Sequence, residues 1–255
     1  MQLMLVAVLC IFSLNTLANE WSNESELSLL QTGGNTELET YNLKTQSTLK
    51  QEKRSYSLGG HYTLGSSEVE DPDDSTKTVR ETTARNWDVN GKYEQVLSKK
   101  TNAFVAVKYE GDEFAGISQR ENYDLGAKYK FTEKKEYNSF FELGYRFTVE
   151  RTLERNEDDE DRFEDNKGRA YYELNRIVRA GFSYKFWVEY IYNFTRTEDY
   201  LINFEPSIAF SLNETFSVKL AYKGMYDNDP AAAANGQDRL ETFDWIYTTA
   251  LLAKF

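Results

Sequence analysis

The last eleven residues, 245–255, constrain the fold more than any other stretch. Trp245, Tyr247, Thr249, Leu251, Ala253 and Phe255 fall on one parity, and Ile246, Thr248, Ala250, Leu252 and Lys254 on the other. A period of two is that of an extended strand, whose side chains alternate between two faces. One face here is largely apolar, with aromatic residues at both ends. This pattern predicts a lipid-facing strand of a bacterial outer-membrane β-barrel. In such barrels a final Phe forms part of the signal read by the assembly machinery. Tyr247, Leu251 and Phe255 are therefore the candidate C-terminal assembly signal.

The same alternation recurs upstream. Twelve segments show it or come close: 21–32, 36–50, 55–65, 82–96, 103–110, 121–131, 137–150, 169–176, 181–193, 200–212, 216–226 and 240–255. The sixth is typical, with Tyr123, Leu125, Ala127, Tyr129 and Phe131 against Asn122, Asp124, Lys128 and Lys130. The eighth is the least regular, and its boundary with 177–180 is open. Pro206 lies inside the tenth, where a ladder paired on both sides has no place for a residue without an N–H, so a bulge is expected. Mean hydropathy is −0.67, a value typical of soluble proteins. A barrel strand turns only every second side chain to lipid, so its average stays low. Aromatic residues make up 15% of the chain and there are only three prolines, which favours long strands over loops. A soluble β-sandwich would alternate too, but it would bury its larger apolar residues and show fewer interfacial Tyr and Trp.

The connections alternate in length. Short ones fall at 51–54, 97–102, 132–136 and 213–215; long ones at 66–77, 111–119, 151–167, 194–199 and 227–237. This fits an up-and-down barrel with short periplasmic turns and longer external loops. The turn Gly33-Gly34-Asn35 breaks the rule, being short on the long-loop side. Charge follows the split. Lys50, Lys53, Arg54, Lys99, Lys100, Lys134 and Lys135 sit at the short turns, whereas the long loops hold Glu68, Glu70, Asp71 and the run Glu157–Asp161. The net charge of −12 argues against nucleic-acid binding.

Residues 1–18 read as a cleavable signal peptide: an apolar run from Leu3 to Leu14, then Thr16-Leu17-Ala18 with small residues at the positions a signal peptidase reads. Cleavage after Ala18 removes Cys10, the single cysteine, so no disulfide or thiolate chemistry is expected in residues 19–255.

Three stretches carry a resemblance. They are Glu26-Leu-Ser-Leu-Leu-Gln-Thr-Gly-Gly-Asn-Thr36, Tyr109-Glu-Gly-Asp-Glu-Phe-Ala-Gly-Ile117, and Lys219-Leu-Ala-Tyr222 followed by Tyr226-Asp-Asn-Asp-Pro230. Together they resemble the salt-induced outer-membrane proteins, the YdiY-like group, from about Trp21 to Phe255. The loops at 66–77 and 151–167 are unusually acidic for it. The resemblance implies an outer-membrane barrel and brings no catalytic residues with it.

The candidate lumen follows from parity. Lys44, Asp88, Lys92, Asp124, Lys128, Glu142, Arg146, Lys185, Glu189, Glu205 and Lys219 lie opposite the apolar face, with Lys223 and Asp244 on the same parity. Both signs occur in similar numbers. This fits either a polar path for small solutes or an internal ion-pair network that fills a small barrel. Strong ion selectivity would need a ring of one sign. His61, the only histidine, falls on the inward parity and is expected to join a hydrogen-bond network there, not a catalytic triad. The run Glu157–Asp161 could gather Ca²⁺ or Mg²⁺, but no EF-hand pattern accompanies it. Trp21, Trp87 and Trp245 are expected in interfacial girdles, and Trp187 in the lumen.

These observations predict an all-β, antiparallel, up-and-down transmembrane barrel of about 12 strands over residues 19–255, in the outer membrane of a Gram-negative bacterium. It is expected to be monomeric and non-enzymatic, without cofactor or metal. Outer-membrane lipid, lipopolysaccharide and the assembly machinery are its expected partners. A narrow porin-like channel is the leading alternative function, and an outer-membrane hydrolase the third.

Overall fold

The computed structural model describes residues 20–32, 38–71, 74–153, 161–230 and 242–255. The predicted signal peptide, the Gly33–Asn35 turn and most of the acidic run Glu157–Asp161 lie outside the described residues.

Twelve strands form one closed sheet: β1 Glu20–Thr32, β2 Leu38–Lys50, β3 Arg54–Asp71, β4 Asp74–Val96, β5 Thr101–Asp112, β6 Ile117–Glu133, β7 Tyr137–Thr152, β8 Arg162–Arg179, β9 Phe182–Asn193, β10 Tyr200–Ser211, β11 Phe216–Asp227 and β12 Phe243–Lys254. Each pairs antiparallel with its chain neighbours, and β1 with β12 completes the ring. This closed ring excludes the two-sheet sandwich. Closure gives every strand a neighbour on both sides, which is what permits a sheet to stand in lipid.

The alternation dictates the two faces. Leu27, Leu43, Leu58, Val89, Leu125 and Leu143 stand exposed on the outside, and Trp21, Trp87 and Trp245 join them. The inside carries the opposite parity, and the buried side chains are mostly polar: Glu142, Asn193 and Thr148 are the most enclosed of the large ones. An apolar exterior around a polar interior inverts the arrangement of a soluble domain.

Several strand limits differ from expectation. The stretch expected as a loop at 66–77 is mostly strand. β3 and β4 continue as a hairpin to Asp71 and from Asp74, pairing Val69 with Val79. Pairing depends on the main chain, so the ladder persists where apolar alternation stops. Between β5 and β6 only Glu113–Gly116 turns, with Gly116 at φ 71°. β8 begins at Arg162, inside the expected loop 151–167, and runs to Arg179. Ala180 and Gly181 then make the turn, with Gly181 at φ 73°, a conformation that costs glycine little. Pro206 makes no bulge. It pairs with Phe186 on β9, whereas the β10–β11 ladder lapses at Glu205 and Pro206 and resumes in register at Ser207.

Candidate functional site in the lumen

The lumen holds a cavity of about 1260 Å³, lined at one end by the short turns and ending at mid-height. Of the sequence candidates, Lys44, Lys92, Lys128, Glu142, Lys185, Glu205 and Lys219 line it. Asp88, Asp124, Arg146 and Glu189 engage in ion pairs or hydrogen bonds farther toward the long-loop end.

Its inner limit is a belt of ion pairs across β4–β9. Glu142 on β7 is 2% exposed and is its hub. Lys92 of β4 reaches it from three strands away, and Arg169 Nη1 of β8 donates to its Oε2 at 3.0 Å. Lys92 and Lys128 both contact Glu94 Oε1, at 3.1 and 3.0 Å. Arg169 also donates through Nε to Glu189 at 2.5 Å. Arg146 grips Asp124 through two parallel bonds of 2.7 and 2.8 Å, the fork geometry that suits guanidinium to carboxylate. Four cations thus meet four carboxylates, and the belt carries no net charge.

Glycine makes the long reach of Lys92 possible. Gly126 and Gly144 are cross-strand partners on the inner wall. A Cβ at Gly126 would lie 2.7 Å from Phe104 Cζ and 2.8 Å from Gly144 Cα. The Phe104 ring occupies the space those side chains would fill and is 2% exposed. Lys92 Nζ crosses above that ring, 4.4 Å from its centroid. The arrangement repeats: Lys128 lies 4.0 Å over Phe140, and Arg169 5.0 Å over Tyr171. Trp187 stacks on Tyr171 at 6.1 Å, inside the barrel as its parity predicts. Lys92, Lys128 and Arg169 therefore each have both a carboxylate and a ring face, which fixes their side chains in place.

Arg169, Glu94, Phe104, Phe140 and Tyr171 did not figure among the sequence candidates. In the eighth segment, Tyr171 and Tyr172 fall on opposite parities and blur the alternation. The charged residues Asp165, Lys167, Arg169 and Glu173, all on one parity, were the available signal.

The other side of the lumen is sparser. Lys219 on β11 sits between Glu26 and Glu205 at 3.0 Å each. His61 Nδ1 lies 3.5 Å from Asp88 Oδ2, and its Nε2 3.0 Å from Thr63 Oγ1. Thr63 Oγ1 also accepts from Asn42 at 3.2 Å, so the chain braces β2, β3 and β4. Asp244, expected inside, is exposed, and so is Ile246. Among the described residues no cluster of three or more His, Cys, Asp or Glu is placed to hold a metal ion.

At the long-loop end, Arg196 in the β9–β10 connection donates to Asp165 at 2.7 Å and lies 3.3 Å from Asp199. The Asp165 hydrogen bond holds the Arg196 proton more tightly than usual. Asp165, expected in a solvated loop, is instead a buried residue of β8.

The architecture is shared with solved outer-membrane proteins. The COG4313 outer membrane channel from Pseudomonas putida F1 aligns with a TM-score of 0.50 at 10% identity, over 95% of this chain and 97% of that one. The NanC porin aligns at 0.47 and 10% identity, over 92% and 98%. The KdgM porin, solved in complex with disordered oligogalacturonate, aligns at 0.46 and 6%, over 92% and 98%. At such identities the likeness is one of fold. No curated protein matches the sequence. The profile of the family described as "Protein of unknown function, DUF481" matches residues 25–249, from β1 into β12, and the chain belongs to that family.

Proposed function

We propose that the protein is an outer-membrane barrel whose lumen is a narrow aqueous path for small solutes, restricted at mid-height by the Glu142 belt. The observation that carries this is the cavity itself: polar, about 1260 Å³, and limited by paired charges of both signs. A belt without net charge discriminates by size and not by ionic sign. The apolar outer face and the likeness in fold to outer-membrane channels support the location. The resemblance to the salt-induced group adds osmotic or ionic stress as the setting. His61 serves as a wall brace and not as a catalytic base, so the protein acts without chemistry on its solute. Tyr247, Leu251 and Phe255 serve assembly, and the barrel works as a monomer among outer-membrane lipid and lipopolysaccharide.

Liposome swelling tests this. Proteoliposomes should swell in glycerol and in simple salts of either type, and should not swell in oligosaccharides. A second reading, a plugged barrel with a purely structural role, is favoured by the way Lys92 spans three strands to Glu142. Absence of swelling in every solute, with a folded barrel on the gel, would establish that reading instead.

A further inference from the structure

Three of the four tryptophans, Trp21, Trp87 and Trp245, face outward, and Trp187 lines the lumen cavity. On β9 it lies one inward position from Glu189, on the short-turn side of the ion-pair belt. It ends a series of rings on consecutive strands. Phe140 of β7 lies 5.9 Å from Tyr171 of β8, and Tyr171 lies 6.1 Å from Trp187, the last two inclined by 26°. The first two rings are occupied, since Lys128 covers Phe140 and Arg169 covers Tyr171. Trp187 meets Tyr171 and, among the described residues, no second ring and no cation. Nothing on β10 continues the series: the ladder partner of Trp187 there is Glu205, and the next inward residue is Ser207.

The polar groups beside this ring are only partly used. Glu205 accepts from Lys219 through Oε1 at 3.0 Å, and its Oε2 accepts from nothing among the described residues. That oxygen is not enclosed, because Asn102 Oδ1 is the one buried side-chain atom among the described residues that lacks a partner. Lys185 is the next inward residue of β9 toward the short turns. Its ammonium meets Glu173 alone, at 3.4 Å, and its side chain is 39% exposed, so it keeps donors in reserve. Glu205 and Lys185 line the same cavity as Trp187. Cross-strand partners stand about 5 Å apart and next-but-one residues of a strand about 7 Å, so one small ligand reaches all three.

A ring face beside one open acceptor and one open donor does not suit an ion, because Glu205 penalises an anion and Lys185 a cation. It suits a neutral ligand with a flat apolar face and an edge of groups that both donate and accept. A pyranose sugar has that chemistry, with C–H groups on its faces and hydroxyls around its edge. We propose that Trp187, Glu205 and Lys185 form a subsite for a neutral cyclic sugar at the foot of the Glu142 belt. The sugar ring lies on the face of Trp187 turned away from Tyr171, and its hydroxyls reach Glu205 Oε2 and Lys185 Nζ. This rests on the reading of the lumen as a solute path and names a substrate class for it.

The test uses the protein isolated from the outer membrane, in nanodiscs, with methyl β-glucopyranoside as the probe. Sorbitol, similar in size and rich in hydroxyls but without a ring, is the comparison. Calorimetry should show saturable binding of the glucoside and none of sorbitol. Binding should also shift the tryptophan emission. Trp187→Phe should remove that shift while keeping calorimetric binding, since a ring remains. Trp187→Ala should weaken binding about tenfold, the worth of roughly 60 Å² of apolar contact. Lys185→Met should weaken it about fivefold, the worth of one hydrogen bond. Equal binding of glucoside and sorbitol, or of the glucoside by Trp187→Ala and its parent with both barrels folded, overturns the subsite. An emission shift that persists in Trp187→Phe overturns it as well, because the shift then comes from an outward-facing tryptophan. Glucoside binding without swelling in any solute keeps the subsite and removes the channel; swelling in glycerol and salts without glucoside binding does the reverse.

Discussion

The two walls of the lumen share one outer face and differ inside. From β4 to β9 the inward positions carry the belt of four cations and four carboxylates, among further ion pairs, interleaved with Phe104, Phe140, Tyr171 and Trp187. From β10 through the β1–β12 seam to β3 they are mostly Ser, Thr, Gly and Ala, with the Lys219 triad and the His61 chain as the main polar features. The same period of two produced both walls. It follows that alternation reports the fold, while chemistry is decided by what fills the inward parity. The charged wall fills and stiffens the mid-lumen. Buried ion pairs are close to neutral for net stability, so its role is shape and order, not strength. The sparse wall is where space remains, and where the barrel is least tightly closed.

The contrast can be broken in order of expected effect. Deleting Phe255 should be the most severe change. It removes two of the backbone hydrogen bonds that close the seam, along with the terminal aromatic of the assembly signal. Synthesis and export should persist while the outer-membrane fraction loses the heat-modifiable band; a normal band would refute the role assigned to this residue. Next comes Glu142→Ala, which leaves Lys92 and Arg169 without their shared partner. Truncating one member of a buried ionic group costs about 3–5 kcal/mol. Lys219→Ala on the sparse wall leaves the buried Glu26 and Glu205 without the cation they share and falls in the same range of about 3–5 kcal/mol. Urea midpoints in detergent measure both, and a cost below about 1 kcal/mol at either site would contradict the ionic role given to it. Gly126→Val should cost about 1–3 kcal/mol by overpacking against Phe104 and the Gly144 backbone. The same change at Gly116, where an added Cβ meets open space, would act through its positive φ and not through crowding. His61→Ala should be smallest, under about 1.5 kcal/mol, with lipid and peptide hydrolysis unchanged. Any hydrolytic activity that this substitution abolishes would make the brace a catalyst.

How far these features could be read in advance depended on where water lies. The strands were legible wherever one face meets an apolar environment and the other a polar one, as in Glu121–Phe131. They were illegible at Ser66–Asp71 and Asp74–Lys77, where composition carries no period. β8 was hard to bound because Tyr171 and Tyr172 suit either face: one lies in the lumen, the other belongs to the outer parity. Inward direction was readable residue by residue, which placed Glu142 and Trp187 inside. Partnership was not. That Lys92 meets Glu142 across β5 and β6 depends on ring closure and on the gap left by Gly126 and Gly144, which parity does not encode. The seam was hidden for the same reason. Asp244 and Ile246 alternate like any other residues, and only the pairing of β12 with β1 shows that they have a ladder partner on β11 and none on β1.

The central claim is that the charged wall sets the width of the path. Single-channel recording in planar bilayers tests it, comparing the wild-type protein with the variant carrying Lys92→Gln and Glu142→Gln together, a paired change that leaves neither partner as an unmatched charge. The wild type should show small steps with little preference between cations and anions, and the double variant larger steps with the same weak preference. Identical steps in the two proteins, or no steps in either at high salt, would contradict the account.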